Sequence, residues 1–284
     1  MKSKLLIFLV SLTCAFSLNL AAENPTLSLD TTEQILDFIE HHFLNHENKN
    51  LKEIREKVTK KNSEPLRIID DFLKSIDEYA DFTFIQNKPS EIQIAHYYMR
   101  DEILYLSLPS FNGINIATSI SQILKSKKPK GLILDLRNNY GGELLSGINL
   151  LNLFIPSGDF FELWTRTGFT RYSSDPDKCE FKDLPIVILI NENSQSIAEA
   201  VAGVMQQNHR AKLIGKKTFG KGIAQAEFSL QENGIDVDGT LKLTYALCIL
   251  PGELNFHGVG IYPDVTVENE TNKDLQLEKA FETL

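Results

Sequence analysis

Two stretches late in the chain carry side chains that could support nucleophilic catalysis. NENSQSIAEAVAGV (191–204) follows the apolar run LPIVILI and starts a helical pattern with Ile197, Val201 and Val204 on one face. A serine hydroxyl at such a start lies near backbone N–H groups without intrahelical acceptors, which favour developing negative charge. Serine is also a common helix cap, so the local sequence leaves both roles open. In GKKTFGKGIAQ (215–225), Lys221 stands between Gly220 and Gly222. That arrangement lets backbone pack closely around an amine that burial could desolvate, although most lysines are solvated surface groups. A third stretch, LDLRNNYGG (134–142), reads as a strand running into a polar turn that ends in two glycines. Such a turn can aim bare N–H groups at a ligand oxygen, or can simply be a strand-to-helix connection with Asn and Gly chosen for backbone geometry.

Other chemistries are excluded by inspection. The chain has no G-x-S-x-G elbow, no H-E-x-x-H and no C-x-x-C pair. GKKTFGKG (215–222) comes within one residue of a P-loop, but Gly222 occupies the place of the magnesium-binding hydroxyl, so no nucleotide is expected. His41, His42 and His46 cluster in the first helix without an acid or cysteine to complete a ligand set, so neither a metal nor another cofactor is expected. The formal net charge is −9, and removal of Lys2 and Lys4 with an N-terminal leader leaves 27 basic against 38 acidic residues. Nucleic acid is not expected as a partner of so acidic a chain.

The elements that must position these residues follow from periodicity. Lys2 and Lys4 precede the apolar run Leu5–Leu12, and small residues follow at Ala15, Ser17, Ala21 and Ala22, the layout of a secretory signal peptide over 1–22. The expectation is an exported protein, periplasmic or secreted, with no membrane span after cleavage. Cys179 and Cys248 remain in the mature chain and could oxidise to one bridge. Helical spacing covers Thr31 to Leu44, with Thr31 or Thr32 as cap, and again Leu66 to Tyr79, with a charged segment from Glu47 to Glu64 between them. Residues 23–85 therefore read as a small helical N-terminal domain, 86–100 as a linker, and 101–284 as an alternating α/β domain. Strands are expected at 103–111, 131–136, 184–190, 225–230 and 239–249, with helices at 114–124 and 192–207. The fold class is mixed α/β with a central β-sheet and flanking helices.

Taken together, GLILDLRNNYGG, PIVILINENSQSIAEAVAGV, IGKKTFGKGIAQ, LKLTYALCILPGE and HGVGIYPDV, in this order across residues 103–265, resemble the C-terminal processing, or tail-specific, serine peptidase family. The resemblance implies a crotonase/ClpP-like peptidase core. Its nucleophile falls on Ser196, its lysine base on Lys221, 25 residues further on, and the glutamine that holds the lysine on Gln225. Ser194 is the competing serine. The oxyanion hole would come from the N–H of Ile197 and of Gly142 or Gly141. A lysine of ordinary pKa, about 10.4, is a poor base at neutral pH, so the site must keep the amine neutral by burial and by excluding carboxylates. Gln225 suits that task because it accepts a hydrogen bond without a charge.

Two positions depart from the family's pattern: Ala198 stands where it has a third serine, beside Glu199, and Gln207 where it has an acid. A larger departure concerns the peptide-binding PDZ domain that typical members carry between the helical domain and the core. Only about 15 residues separate those parts here, whereas a domain needs at least about 50. The function implied is exported endopeptidase activity on unfolded or C-terminally exposed polypeptides; a catalytically silent peptide-binding protein on the same fold is the alternative. An adaptor protein or a homodimer could supply the missing substrate selection. Without a PDZ domain, two unfolded reporters that differ only in an apolar or a charged C-terminal tail should be cleaved at similar rates. A tail-dependent difference above about tenfold, roughly 1.4 kcal/mol, would contradict this.

Overall fold

A computed structural model describes residues 29–43, 65–84, 96–113 and 115–284. The expected signal peptide and the charged segment 47–64 lie outside these residues, as does most of the expected linker. The chain forms two compact units, one of residues 1–88 with 224–246 and the other of residues 89–223 with 247–284.

In the smaller unit, α1 (Leu29–His42) and α2 (Pro65–Ile76) are amphipathic. The first begins two residues before Thr31, so both threonines lie within its opening turn instead of capping it. The helices bury Ile35, Leu36, Ile39, Phe43, Ile69, Phe72 and Leu73 together with Leu230, Ile235, Val237, Leu241 and Leu243. Strand β1 (Asp81–Phe84) pairs antiparallel with residues 239–242. The unit expected to be purely helical and N-terminal thus takes a strand and a 23-residue excursion from far along the chain.

The larger unit is built on a six-stranded sheet. Strands β2 (Tyr97–Arg100), β3 (Ile103–Ser107) and β4 (Gly131–Asp135) come first in the chain, and β2 falls in the expected linker. Helix α3 (Ile116–Lys127) crosses from β3 to β4, and α4 (Leu144–Phe154) follows the polar turn after β4. A hairpin, β5 (Asp159–Thr165) and β6 (Gly168–Ser173), intervenes before β7 (Ile186–Ile190). Helix α5 (Ile197–Gln207) then leads to β8 (Lys212–Gly215). Strand β9 (Ile223–Ser229) and the long β10 (Gly239–Leu250) are each shared between the two units, and the end of β10 pairs with β5 and with β11 (Leu254–Asn255). The chain closes with β12 (Val265–Thr266) and α6 (Leu275–Thr283).

The strand order is β12-β8-β7-β4-β3-β2, parallel except for the β2 edge. Every residue of β4 and β7 is buried, as expected of parallel strands covered on both faces. Ile133, Val187, Leu189 and Ile214 pack with Ala280 of α6. Alternate residues point to the opposite face of such a sheet. Cys179 and Cys248 are free thiols, and burial together with the Glu199 charge pushes Cys248 up to about 12. Among the described residues no helix is long and apolar enough to cross a membrane.

A buried ion network fastens α6 to the end of β4. Arg137 donates to Asp135 at 2.6 Å and to both oxygens of Asp274, the N-cap of α6, at 2.7 and 2.8 Å. Tyr105 adds a hydroxyl to Asp135 at 2.7 Å. Burial alone would raise the Asp274 carboxyl, but hydrogen bonds from Arg137 and from the Leu277 N–H hold it below its ordinary value. A lowered carboxyl contributes stability above its unfolded pKa and loses that stability as pH falls through the folded one. Arg137→Met leaves Asp135 buried and unpaired and should cost about 3–5 kcal/mol in urea unfolding. It should also flatten part of the stability loss between neutral and acid pH.

Candidate active site

Three connections leave the carboxyl ends of neighbouring parallel strands: residues 136–143 after β4, 191–196 after β7 and 216–222 after β8. The register puts Asp135 beside Leu189 and Ile190 beside Gly215, so the three loops start at one level. Ligand sites of α/β sheets form at this edge.

Asparagines zip the first two loops together. Asn191 Oδ1 accepts the Asn138 N–H at 2.9 Å, while Asn138 Oδ1 accepts from the side-chain amides of Asn191 and Asn193, each at 3.0 Å. Ser194 is wholly buried. Its hydroxyl donates to the Leu136 carbonyl at 2.7 Å and accepts the Asn191 N–H at 3.0 Å, so it is committed to joining the loops. Ser196 has no such role. It precedes the first turn of α5 with φ 56° and ψ −124°, a strained conformation for a side chain other than glycine. The Gly-Gly turn lies against it: a Cβ placed on Gly141 would stand 2.9 Å from Ser196 Cβ and 3.4 Å from its Oγ.

The expected oxyanion donors separate in the structure. The Gly141 N–H is spent on Asn139 Oδ1 at 2.8 Å, which removes Gly141 from the set. The Asn139 side chain is itself fixed by donating to the Leu108 carbonyl at 2.7 Å. No internal acceptor is found among the described residues for the N–H of Gly142 or of Ile197. Gly142 has φ 144°, and a Cβ there would come within 2.5 Å of the Phe111 carbonyl carbon.

Lys221 is buried. Its two flanking glycines permit a close approach by the 257–260 loop, since a Cβ on Gly222 would stand 2.7 Å from the His257 nitrogen and one on Gly220 3.0 Å from those of Val259 and Gly260. Gln225, also buried, belongs to the smaller unit, where its amide donates to the Tyr79 carbonyl at 2.6 Å. The near-P-loop nitrogens of Gly220 and Lys221 point at an anion supplied by the chain itself, the Glu199 carboxylate. That carboxylate accepts from Gly220 and Lys221 at 2.7 Å each, from the Thr218 hydroxyl at 2.5 Å and from the Ser196 N–H at 2.9 Å. Sequence reasoning gave Glu199 no role, although S-x-x-E over 196–199 at a helix start has the pattern of a capping box. Burial raises its carboxyl, and the four hydrogen bonds oppose the rise. Among the described residues no group of side chains could hold a metal ion, and His42 Nδ1 is paired with the Phe38 carbonyl at 2.8 Å.

A strained serine at a helix start, beside two unpartnered N–H groups and a buried lysine loop, is the arrangement of an acyl-transfer site on an α/β fold. Residues 102–267 match Peptidase family S41, and the chain belongs to that family. A carboxyl-terminal-processing protease of Synechocystis is 35% identical over 58% of this chain and 38% of its own length. A carboxy-terminal-processing protease of Bartonella bacilliformis is 34% identical over 63% of this chain and 42% of its own. The chain thus spans about two fifths of the length of these curated relatives. Among solved structures, a photosystem II D1 C-terminal processing protease superposes with TM-score 0.68 at 15% identity, covering 85% of this chain and 94% of that one. A lipoprotein from Streptococcus agalactiae superposes with TM-score 0.73 at 20% identity, covering 94% and 99%. At those identities the likeness is one of fold.

The two serines should part on substitution. Ser194→Ala leaves a buried carbonyl and N–H without partners and should cost about 1–3 kcal/mol in thermal or urea unfolding, yet keep reaction with a fluorophosphonate probe. Gly142→Ala, strained and in collision with Phe111, should reduce that reaction about a hundredfold or more, as for loss of an oxyanion donor.

Proposed function

We propose that this chain is an exported serine endopeptidase that cleaves unfolded or C-terminally exposed polypeptides, with Ser196 as nucleophile and Lys221 as general base. The observation that carries the reading is Ser196 itself, strained against the Gly-Gly turn and beside the open N–H groups of Ile197 and Gly142. Membership of Peptidase family S41 supports the serine peptidase chemistry. The family resemblance supports the dyad and the glutamine partner of the lysine.

The steps follow from the groups present. The neutral Lys221 amine takes the Ser196 hydroxyl proton as Oγ bonds to the scissile carbonyl carbon, and the carbonyl π-electron pair moves onto oxygen. The Ile197 and Gly142 N–H groups stabilise that oxyanion. Collapse breaks the C–N bond, the Lys221 ammonium returns its proton to the leaving amine, and an ester to Ser196 remains. Water then attacks the ester carbon as Lys221 takes its proton, and collapse breaks the C–Oγ bond as the Lys221 ammonium returns that proton to Ser196 Oγ, which releases the carboxylic acid and the free serine. Residues 86–100 are too few for a PDZ domain, and on this reading substrates would be held along strand edges by backbone hydrogen bonds, which tolerate many sequences.

Ser196→Ala and Lys221→Ala should each abolish hydrolysis of an unfolded reporter while circular dichroism stays that of the wild type. A Ser196→Ala protein as active as the wild type would sink the assignment. Activity should rise with pH through one ionisation below that of free lysine, and chelators should leave it unchanged. A metal requirement would contradict the mechanism.

A further inference from the structure

The carboxylate of Glu199 is the one charged group on which the proposed nucleophile, the proposed base and the loop between β8 and β9 all converge. Its residue is wholly buried. Oε1 accepts from Thr218 and Gly220, and Oε2 from Ser196 and Lys221. Three of these donors are peptide N–H groups, which can only donate. The fourth, the Thr218 hydroxyl, accepts the Ile261 N–H at 2.7 Å and donates its proton to Glu199 Oε1. Four donors fill the four lone-pair directions of the two oxygens and leave no position for a carboxyl proton. Among the described residues, these hydrogen-bond partners are dipoles of the protein itself and none is a cation, so the group is an anion solvated by them.

We infer that Glu199 is an ionised positioning residue: it locks the Ser196 and Lys221 peptides onto one oxygen, and its charge stabilises the ammonium that forms on Lys221 as Ser196 is deprotonated. This rests on the Ser-Lys reading above. The Ser196 N–H faces Glu199 and is withheld from the oxyanion hole, which is why that hole must be assembled from Ile197 and the turn after β4. The expectation that the site excludes carboxylates gives way to a different arrangement, in which a fixed negative charge lowers the energy of the ammonium, and with it that of the transition state in which the ammonium forms.

The sign of the effect makes the inference testable. Removing the charge disfavours the ammonium, so the acid limb of the pH–rate profile must move to lower pH while the limiting rate falls. Two other titratable groups belong to this environment. Cys248, whose thiol burial and Glu199 push up to about 12, stays neutral over the range. His257 packs its backbone on Gly222, and the measurements would be made in a His257→Asn background, which lacks the imidazole. Second-order labelling by a fluorophosphonate would be followed against pH for the full chain, Glu199→Gln and Glu199→Asp, with unfolding midpoints measured in parallel. Expected are slower labelling in both variants, an acid limb displaced downward in Glu199→Gln, and a limb at the wild-type position in Glu199→Asp, which keeps the charge. A Glu199→Gln limb that is unmoved or moves upward, or a wild-type rate, overturns the inference, since a purely structural role lowers the rate of both variants without displacing either limb. If neither variant folds, infrared spectra of the otherwise wild-type protein in D2O at neutral pH decide. Glu227→Gln would remove the other carboxyl that burial raises among the described residues. A buried protonated-carboxyl stretch in that protein would overturn the charge assignment, and its absence supports it. A wild-type protein that fails to react at all would refute the Ser-Lys reading, while the infrared result would still report on Glu199.

Discussion

Parallel pairing of β4, β7 and β8 is the constraint from which the rest of the site follows. Parallel strands cannot be joined by tight turns, so each must be followed by a crossover, and every crossover leaves from the same edge of the sheet. The register aligns the last residues of the three strands, and the loops that leave them meet without any segment having to reach far. The asparagine zip between Asn138, Asn191 and Asn193 and the bridging hydroxyl of Ser194 are local consequences of that meeting. They satisfy backbone and side-chain groups at an edge where the ladder of hydrogen bonds has run out.

Two charge assemblies are held in different ways. In the first, Arg137 is shared by two carboxylates, Asp135 and Asp274, and fastens the last helix to the β4 end. Glu199 has no compensating cation among its hydrogen-bond partners and is met by peptide dipoles and one hydroxyl. Dipolar solvation also gives rigidity and leaves a charge whose field reaches a neighbouring group: burial first, and the Glu199 charge second, push the Cys248 thiol up.

The parts of this arrangement legible in the sequence are those written in periodicity. GLILDL and PIVILI announce buried strands, and the helix after Ser196 shows its apolar face at Ile197, Val201 and Val204. The β5–β6 hairpin and α6 are less visible, because DFFELWT breaks strict alternation, GFTRYS is exposed along nearly its whole length, and LQLEKAFET is short and mostly polar. Side-chain commitments are harder still to read. Gly141 and Gly142 look interchangeable until Asn139 claims the N–H of the first. Ser194 and Ser196 are told apart by burial and partners, neither of which spacing reports. Glu199 reads as an ordinary capping acid because the loop that meets both of its oxygens arrives 19 to 22 residues later.

The excursion at 224–246 has a bearing on how the molecule can be divided. It leaves the larger unit immediately after the lysine loop and contributes Leu230, Ile235, Val237, Leu241 and Leu243 to the core of the smaller one. The stretch matching the family, 102–267, contains this excursion but none of α1, α2 or β1. A gene fragment cut to the family boundaries would thus encode Leu230, Ile235, Val237, Leu241 and Leu243 without the α1 and α2 residues that cover them. The N-terminal helices and the family-matching segment are tied by this shared core, and neither can be cut away without exposing apolar side chains of the other.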